Sequence, residues 1–215
     1  MEGYAHTFPN FGYLSCKYDQ EELKELRTEV YKIRDGAVKA DDANGDLVGQ
    51  IEREYSMDYF VPQFEPLITP LVQKYLIEFP EYADYIGGIT STSQPYFFYQ
   101  DSLWVNFQKK HEYNPPHDHS GVFSFALWLD IPYDEKEEME ASYGRYSNNN
   151  TAGKFSFLYT NSLGWTSNHV IDCNSNTTNL LLLFPSKMVH SVYPFQTSDD
   201  YRITLSGNIK IGVDL

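Results

Sequence analysis

The pattern of apolar and polar positions divides the chain in two near residue 90. Upstream, Leu23, Leu26, Val30 and Ile33 recur at the spacing of an amphipathic helix. Asp19 and Glu22 form a capping box ahead of it, and Gly36 can end it. A second helix is expected from about Gln63 to Phe79, carried by Leu67, Leu71, Val72, Tyr75 and Leu76, although Pro66 and Pro70 fall in its first turns. Pro80 stops it, and a short helical turn follows around Glu81 to Tyr85. Downstream of Gly87 and Gly88 the period becomes two. Strands are expected over Tyr96 to Tyr99, Leu103 to Gln108, Val122 to Ile131, Phe155 to Tyr159, His169 to Cys173, Leu180 to Phe184, Met188 to Tyr193 and Tyr201 to Ile209.

In two of these strands the alternation is informative. Trp104, Asn106 and Gln108 share one face, opposite Leu103, Val105 and Phe107. Arg202, Thr204, Ser206 and Asn208 share another, opposite Tyr201, Ile203, Leu205 and Ile209. Some eight short strands after two helices predict a mainly β protein with α: an antiparallel double-sheet jelly roll with its N-terminal helices packed outside. The chain reads as a single domain over 1–215, with a helical support region over 1–90 and the jelly-roll core over 91–215. The polar stretch 134–153, with its acidic run and its triplet Asn148 to Asn150, reads as a surface insertion, either a lid or a silent loop.

Composition narrows the partners. Hydrophobic residues at 41% and aromatics at 16% allow a core large enough to enclose a ligand cavity. A formal net charge of −14 argues against nucleic acid and against anionic membrane surfaces, but leaves room for a small anion held by a buried arginine. The two cysteines, Cys16 and Cys173, suit free thiols in a reducing compartment. With no signal-peptide pattern and no apolar membrane span, the expected location is the cytoplasm.

Candidate chemistry concentrates between Trp104 and Pro132. His117 and His119, two residues apart in an extended segment, can face one ion, and Pro115 and Pro116 stiffen the approach to them. Such a pair taken alone is more often turn and surface histidine. His190 lies on the strand before Arg202, and Thr204 follows two residues later. The order His-x-His, His, Arg-x-Thr offers three metal ligands and an anchor for an acidic co-substrate. The polar strand faces could instead simply meet water. His6, His111 and His169 read as surface or structural residues, and Trp128 and Trp165 as core or lid packing. Tyr193 and Ser186 are weaker candidates for the pocket wall.

The segments WVNFQKKHEYNPPHDHSG, SFALWLDIP, LLLLFPSKMVHSVYPF and DDYRITLSGNI resemble the iron(II)- and 2-oxoglutarate-dependent oxygenases, of the type common in marine bacteria and their phages. The resemblance spans roughly Leu103 to Ile209. It implies a double-stranded β-helix (cupin-like) core, iron(II), 2-oxoglutarate as co-substrate and O₂. It also implies hydroxylation of a small molecule or peptide, with release of succinate and CO₂, in the cytoplasm of a bacterium or infected host cell. By position it implies His117 and His190 as iron ligands. Arg202 would grip the distal carboxylate of 2-oxoglutarate with Thr204, while Asn106 and Trp104 would line the co-substrate pocket.

The family's usual motif is His-x-Asp/Glu, and His119 stands at the acidic position. A three-histidine triad of His117, His119 and His190 is the preferred reading. Water filling that position is a second, and an open site read from His119-Ser120-Gly121, like that of halogenases, is a third. Asp118 is turned away by an extended backbone. Two other classes stay open: a three-histidine cupin-type dioxygenase without 2-oxoglutarate, and a jelly-roll binding or structural protein in which the histidines are merely structural.

Overall fold

The structure is a computed structural model describing residues 10–46, 48–90 and 95–213. In chain order the strands and α-helices are β1 (Leu14–Lys17), α1 (Lys24–Arg34), β2 (Glu54–Ser56), α2 (Val61–Glu78), α3 (Glu81–Thr90), β3 (Tyr96–Gln108), β4 (Asn114–His117), β5 (Phe123–Asp130), α4 (Glu135–Ala141), β6 (Phe155–Thr160), β7 (Thr166–Ile171), β8 (Leu180–Pro185), β9 (His190–Val192) and β10 (Arg202–Val213). The strands form two antiparallel sheets, ordered β1-β8-β5-β10-β3-β2 and β4-β9-β6-β7. This is the expected mainly β double-sheet architecture. Among the described residues, no helix is long and apolar enough to cross a membrane. His6 lies outside the described residues.

The two faces of the larger sheet have different tasks. Leu103, Val105, Phe107, Ile203 and Leu205 join Leu26, Val30, Phe64, Ile68, Val72 and Tyr75 in one core, so the outer face is covered by the helices. Ala126, Trp128, Leu182 and Phe184 meet Phe155 and Phe157 in a second core, which lies between the sheets. The period-two pattern is thus resolved: the apolar positions of β3 and β10 pack outward on helices, and their polar positions turn inward.

The helices follow the sequence with three refinements, the first being that the short turn expected around Glu81 to Tyr85 is a helix running through Gly87 and Gly88 to Thr90. Asp19 and Glu22 exchange the reciprocal bonds of a capping box, both at 2.8 Å, one turn ahead of α1. Pro66 and Pro70 lie inside α2 without ending it. They stand on its exposed face, away from the buried stripe Phe64, Ile68, Val72 and Tyr75. Burial of that stripe, at about 1.5–3 kcal/mol per large side chain, offsets the helix penalty of the prolines.

The two strands expected around residues 96–108 are one long strand, bent by a register shift opposite Asn208 and Ile209. Strands β1, β2 and β4 lack a readable pattern in the sequence; β1 and β4 have four residues each and β2 has three. The insertion at 134–153 is docked on the body rather than loose. Asp134 caps α4 by accepting from the Lys136 and Glu137 amides. The fully buried Glu138 accepts from Thr197 N and Oγ1 at 3.0 and 2.9 Å, docking the insertion on the body.

Candidate metal centre

Three imidazoles meet between the sheets. His117 ends β4, His190 begins β9, and the two are register partners. His119 follows in the turn after β4. Its amide donates to Ser186 O at 2.9 Å, while Ser186 N donates to Val122 O and Ser186 Oγ to Gly121 O. This latch on the FPS turn sets the position of His119, and it is the role of Ser186. Gly121 makes the latch possible: its φ is +89°, and a β-carbon there would stand 2.6 Å from Ile209 O.

The ligating atoms of His117, His119 and His190 all lie within 4.8 Å of one another. His119 Nε2 is 3.2 Å from His190 Nε2. His117 Nδ1 contacts Pro115 O at 2.6 Å and His190 Nδ1 contacts Met188 O at 3.1 Å. A backbone carbonyl beside Nδ1 holds the proton there and leaves the Nε2 lone pair for a metal.

Burial keeps all three rings neutral near neutral pH. It holds His117 below the usual range. It lowers His119 to about 4, with neighbouring His117 adding to the effect. It lowers His190 well below the usual range, again helped by the other two rings. Neutral imidazole is the ligating form. Phe155 stacks on His190 at 5.3 Å, Phe184 meets it at 5.0 Å, and Trp104 flanks His119 at 5.6 Å. Asp118 is no competitor, because its carboxylate faces Lys187 at 3.4 Å.

The histidines open onto a cavity of about 350 Å³, within the usual range for small-molecule sites. Across the larger sheet its wall is built in rows: Glu54, Asn106, Thr204 and Trp128 in one; Ser56, Trp104, Ser206 and Ala126 in the next. All of these except Ser56 line the cavity. Trp104, Asn106 and Thr204 are therefore brought together with the three histidines.

Arg202 is not. It shares the inward face of β10, but it is fully buried behind Gln108 and absent from the cavity wall. Its Nε and Nη2 both donate to Gln108 Oε1 at 3.0 and 2.6 Å. Its Nη1 donates to Tyr133 Oη and Gly153 O at 2.7 and 2.5 Å, and its Nη2 to Tyr193 O at 2.9 Å. All five N–H groups are used, by neutral acceptors. Strand parity gives Arg202 the right face but not its depth: Gln108 stands between it and the cavity. Tyr193 serves through its carbonyl rather than as a pocket wall.

Trp128 is buried in the inter-sheet core and also lines the cavity. Trp165, expected in packing, is 69% exposed at the turn between β6 and β7. His169 bonds Tyr13 Oη at 3.1 Å, a structural contact. His111 has a φ of +72° and donates its amide to Phe195 O, so it shapes a turn. Sequence reading missed Glu54 and Asn114, because the short strands that carry them show no alternation.

Comparison with known proteins agrees with the geometry. A family model described as "Putative 2OG-Fe(II) oxygenase" matches residues 102–208. No curated protein matches the sequence. Among solved structures, a Pseudomonas putida prolyl-4-hydroxylase is similar at TM-score 0.52 and 11% identity, over 93% of this chain and 92% of that one. The epimerase SnoN from nogalamycin biosynthesis, described as non-heme and alpha ketoglutarate dependent, gives 0.52 and 13%, over 95% and 79%. A Trichoplax adhaerens prolyl hydroxylase solved with a hypoxia inducible factor peptide gives 0.51 and 13%, over 92% and 82%. At such identities the likeness is one of fold, here the double-stranded β-helix of these oxygenases.

Proposed function

This chain belongs to the iron(II)- and 2-oxoglutarate-dependent oxygenases, and from that membership we propose that it hydroxylates a small-molecule or peptide substrate, with release of succinate and CO₂. One observation carries the site: three imidazoles, His190 buried and His117 and His119 half-buried, whose ligating atoms lie within 4.8 Å of one another. The donor set suits iron(II), a metal for which imidazole is a fitting ligand. His117, His119 and His190 would hold it, and His119 takes the place of the usual carboxylate. Iron(II), when bound, couples O₂ reduction to oxidative decarboxylation of 2-oxoglutarate.

The chain's own residues position and exclude. Pro115 O and Met188 O orient two of the ligand rings. Phe155, Phe184 and Trp104 surround the centre with apolar surface and limit water. Thr204 and Asn106, register partners on β10 and β3, supply a hydroxyl and an amide for the distal carboxylate of the co-substrate. The Arg202 charge supports them from behind Gln108. Fold neighbours include hydroxylases and an epimerase, so fold does not choose the outcome of the oxidation. Hydroxylation is our reading of the accessible cavity.

Anaerobic addition of iron(II) and then 2-oxoglutarate tests the proposal. A weak charge-transfer band in the green is expected, lost in His190→Ala. Iron binding without that band would overturn the co-substrate assignment in favour of a three-histidine dioxygenase. No iron binding would overturn the metal centre.

A further inference from the structure

The cavity wall is acidic and rich in acceptors, and among the described residues no lysine or arginine lines it. Three carboxylates lie along it. Asp101 is paired with Lys210 at 2.8 Å and Asp118 with Lys187 at 3.4 Å. Glu54 has no ion-pair partner among the described residues, although it is 1% exposed, and neither carboxylate oxygen receives a hydrogen bond from them. Arg53, next in sequence, points away to Tyr201 Oη and Arg34 O.

Two amide oxygens share this condition. Asn106 Oδ1 and Asn114 Oδ1 are buried, line the same cavity and have no donor. Asn106 is the register partner of Glu54 across β2 and β3. A β-carbon on Gly49 would stand 2.6 Å from Asn114 Oδ1 and 3.0 and 3.1 Å from the two Glu54 oxygens, so the Asn114 and Glu54 acceptors crowd one corner that Gly49 leaves open. Buried acceptors left without donors are costly, and more so for a carboxylate. Burial first, then the nearby carboxylates of Glu112 and Asp42, push the Glu54 carboxyl up to about 7. Among the described residues no donor offsets that cost, and protonation of Glu54 relieves it only below about pH 7.

We propose that Glu54, Asn106 and Asn114 form the substrate-recognition corner of the cavity, and that they receive a protonated primary amine. An ammonium group carries one positive charge and three N–H donors. Three acceptor side chains, one of them anionic, match it in both charge and number. The substrate class that follows is an amine-bearing small molecule or side chain, oxidised at a carbon away from the bound nitrogen. Asn106 faces both ligands, with its Oδ1 toward the amine and its Nδ2 available to the co-substrate. As a substrate site, the corner rests on the oxygenase reading above.

The test uses the full chain, first without metal, in calorimetric titrations at about pH 8, where the Glu54 carboxylate is charged. Pentylamine is compared with pentan-1-ol, equal in length but uncharged and with one donor in place of three. The amine is expected to bind and the alcohol to bind measurably more weakly. Glu54→Gln, which keeps the shape, is expected to weaken the amine by about ten- to a hundred-fold and leave the alcohol unchanged. Asn114→Ala provides a second variant that keeps the carboxylate, with a smaller loss for the amine alone. Equal binding of amine and alcohol, or amine binding unchanged in both variants, would overturn the assignment. The charge-transfer titration on the same samples separates the two readings. A band without amine selectivity removes the recognition corner and leaves the oxygenase, whereas amine selectivity without a band does the reverse.

Discussion

Glu54 and His190 are buried, His117 and His119 half-buried, and in all four burial disfavours the charged form, pushing the carboxyl up and the imidazoles down. For Glu54 the folded-state value, about 7, lies above the ordinary glutamate value of 4.5. Between the two, the folded chain holds a proton that the unfolded chain has released. Stability from this group is therefore complete below the unfolded value and is lost as pH rises through the folded one. From about pH 5 to about pH 8 the loss is about 2 to 3 kcal/mol. Glu54→Gln should match the wild type in urea denaturation near the lower pH and exceed it by that amount near the upper. A constant difference would mean that Glu54 is not held in its protonated form by the fold. With the expected gain at the upper pH, the same variant's loss of amine binding would mark a group kept for its ligand against its effect on stability. His119 carries a different expectation: His119→Ala should weaken iron(II) binding about tenfold or more, read by anaerobic titration. Unchanged affinity would return the third position to water.

At the scale of elements, much of the site was legible because strand parity is a strict rule. Trp104 and Asn106 share a face with each other, as do Arg202 and Thr204, and all four turn inward. His-x-His followed by a third histidine reads as a ligand set because extended backbone puts alternate residues on one side. Parity says nothing about depth, which is why Arg202 ends up behind Gln108. Glu54 was illegible for another reason: β2 has three residues, too short for any period to declare itself. The turn after β4 depends on one conformational fact, the left-handed backbone of Gly121 against Ile209 O. Gly121→Ala should strain the latch that holds His119, lowering stability by about 1 kcal/mol or more and weakening iron(II) binding with it. A destabilised variant with unaltered iron affinity would separate the latch from the ligand.

In the molecule as a whole, β10 divides its labour residue by residue. Leu205 packs outward with the helices and is fully buried, while Thr204, its neighbour, faces the cavity. The helical half supplies the apolar cover that lets the inner face carry Asn106, Thr204, Ser206 and Glu54 without dissolving the sheet. Stability and ligand binding should therefore separate across a single peptide bond. Leu205→Ala should cost about 2–5 kcal/mol in urea denaturation, because the cavity it leaves sits in a packed core. In the folded fraction, the charge-transfer band with iron(II) and 2-oxoglutarate should survive. Thr204→Ala removes a hydroxyl from an already open wall, so its stability cost should stay below about 1 kcal/mol, while the 2-oxoglutarate concentration needed for half the band rises severalfold. If both substitutions cost similar stability, the inner face would be part of the core rather than a binding surface. If Thr204→Ala left the titration unmoved, the distal carboxylate would lie elsewhere along the wall, nearer Ser206 and Asn208. The two faces differ in what they bury, and that difference lets one strand be rigid on one side and chemically specific on the other.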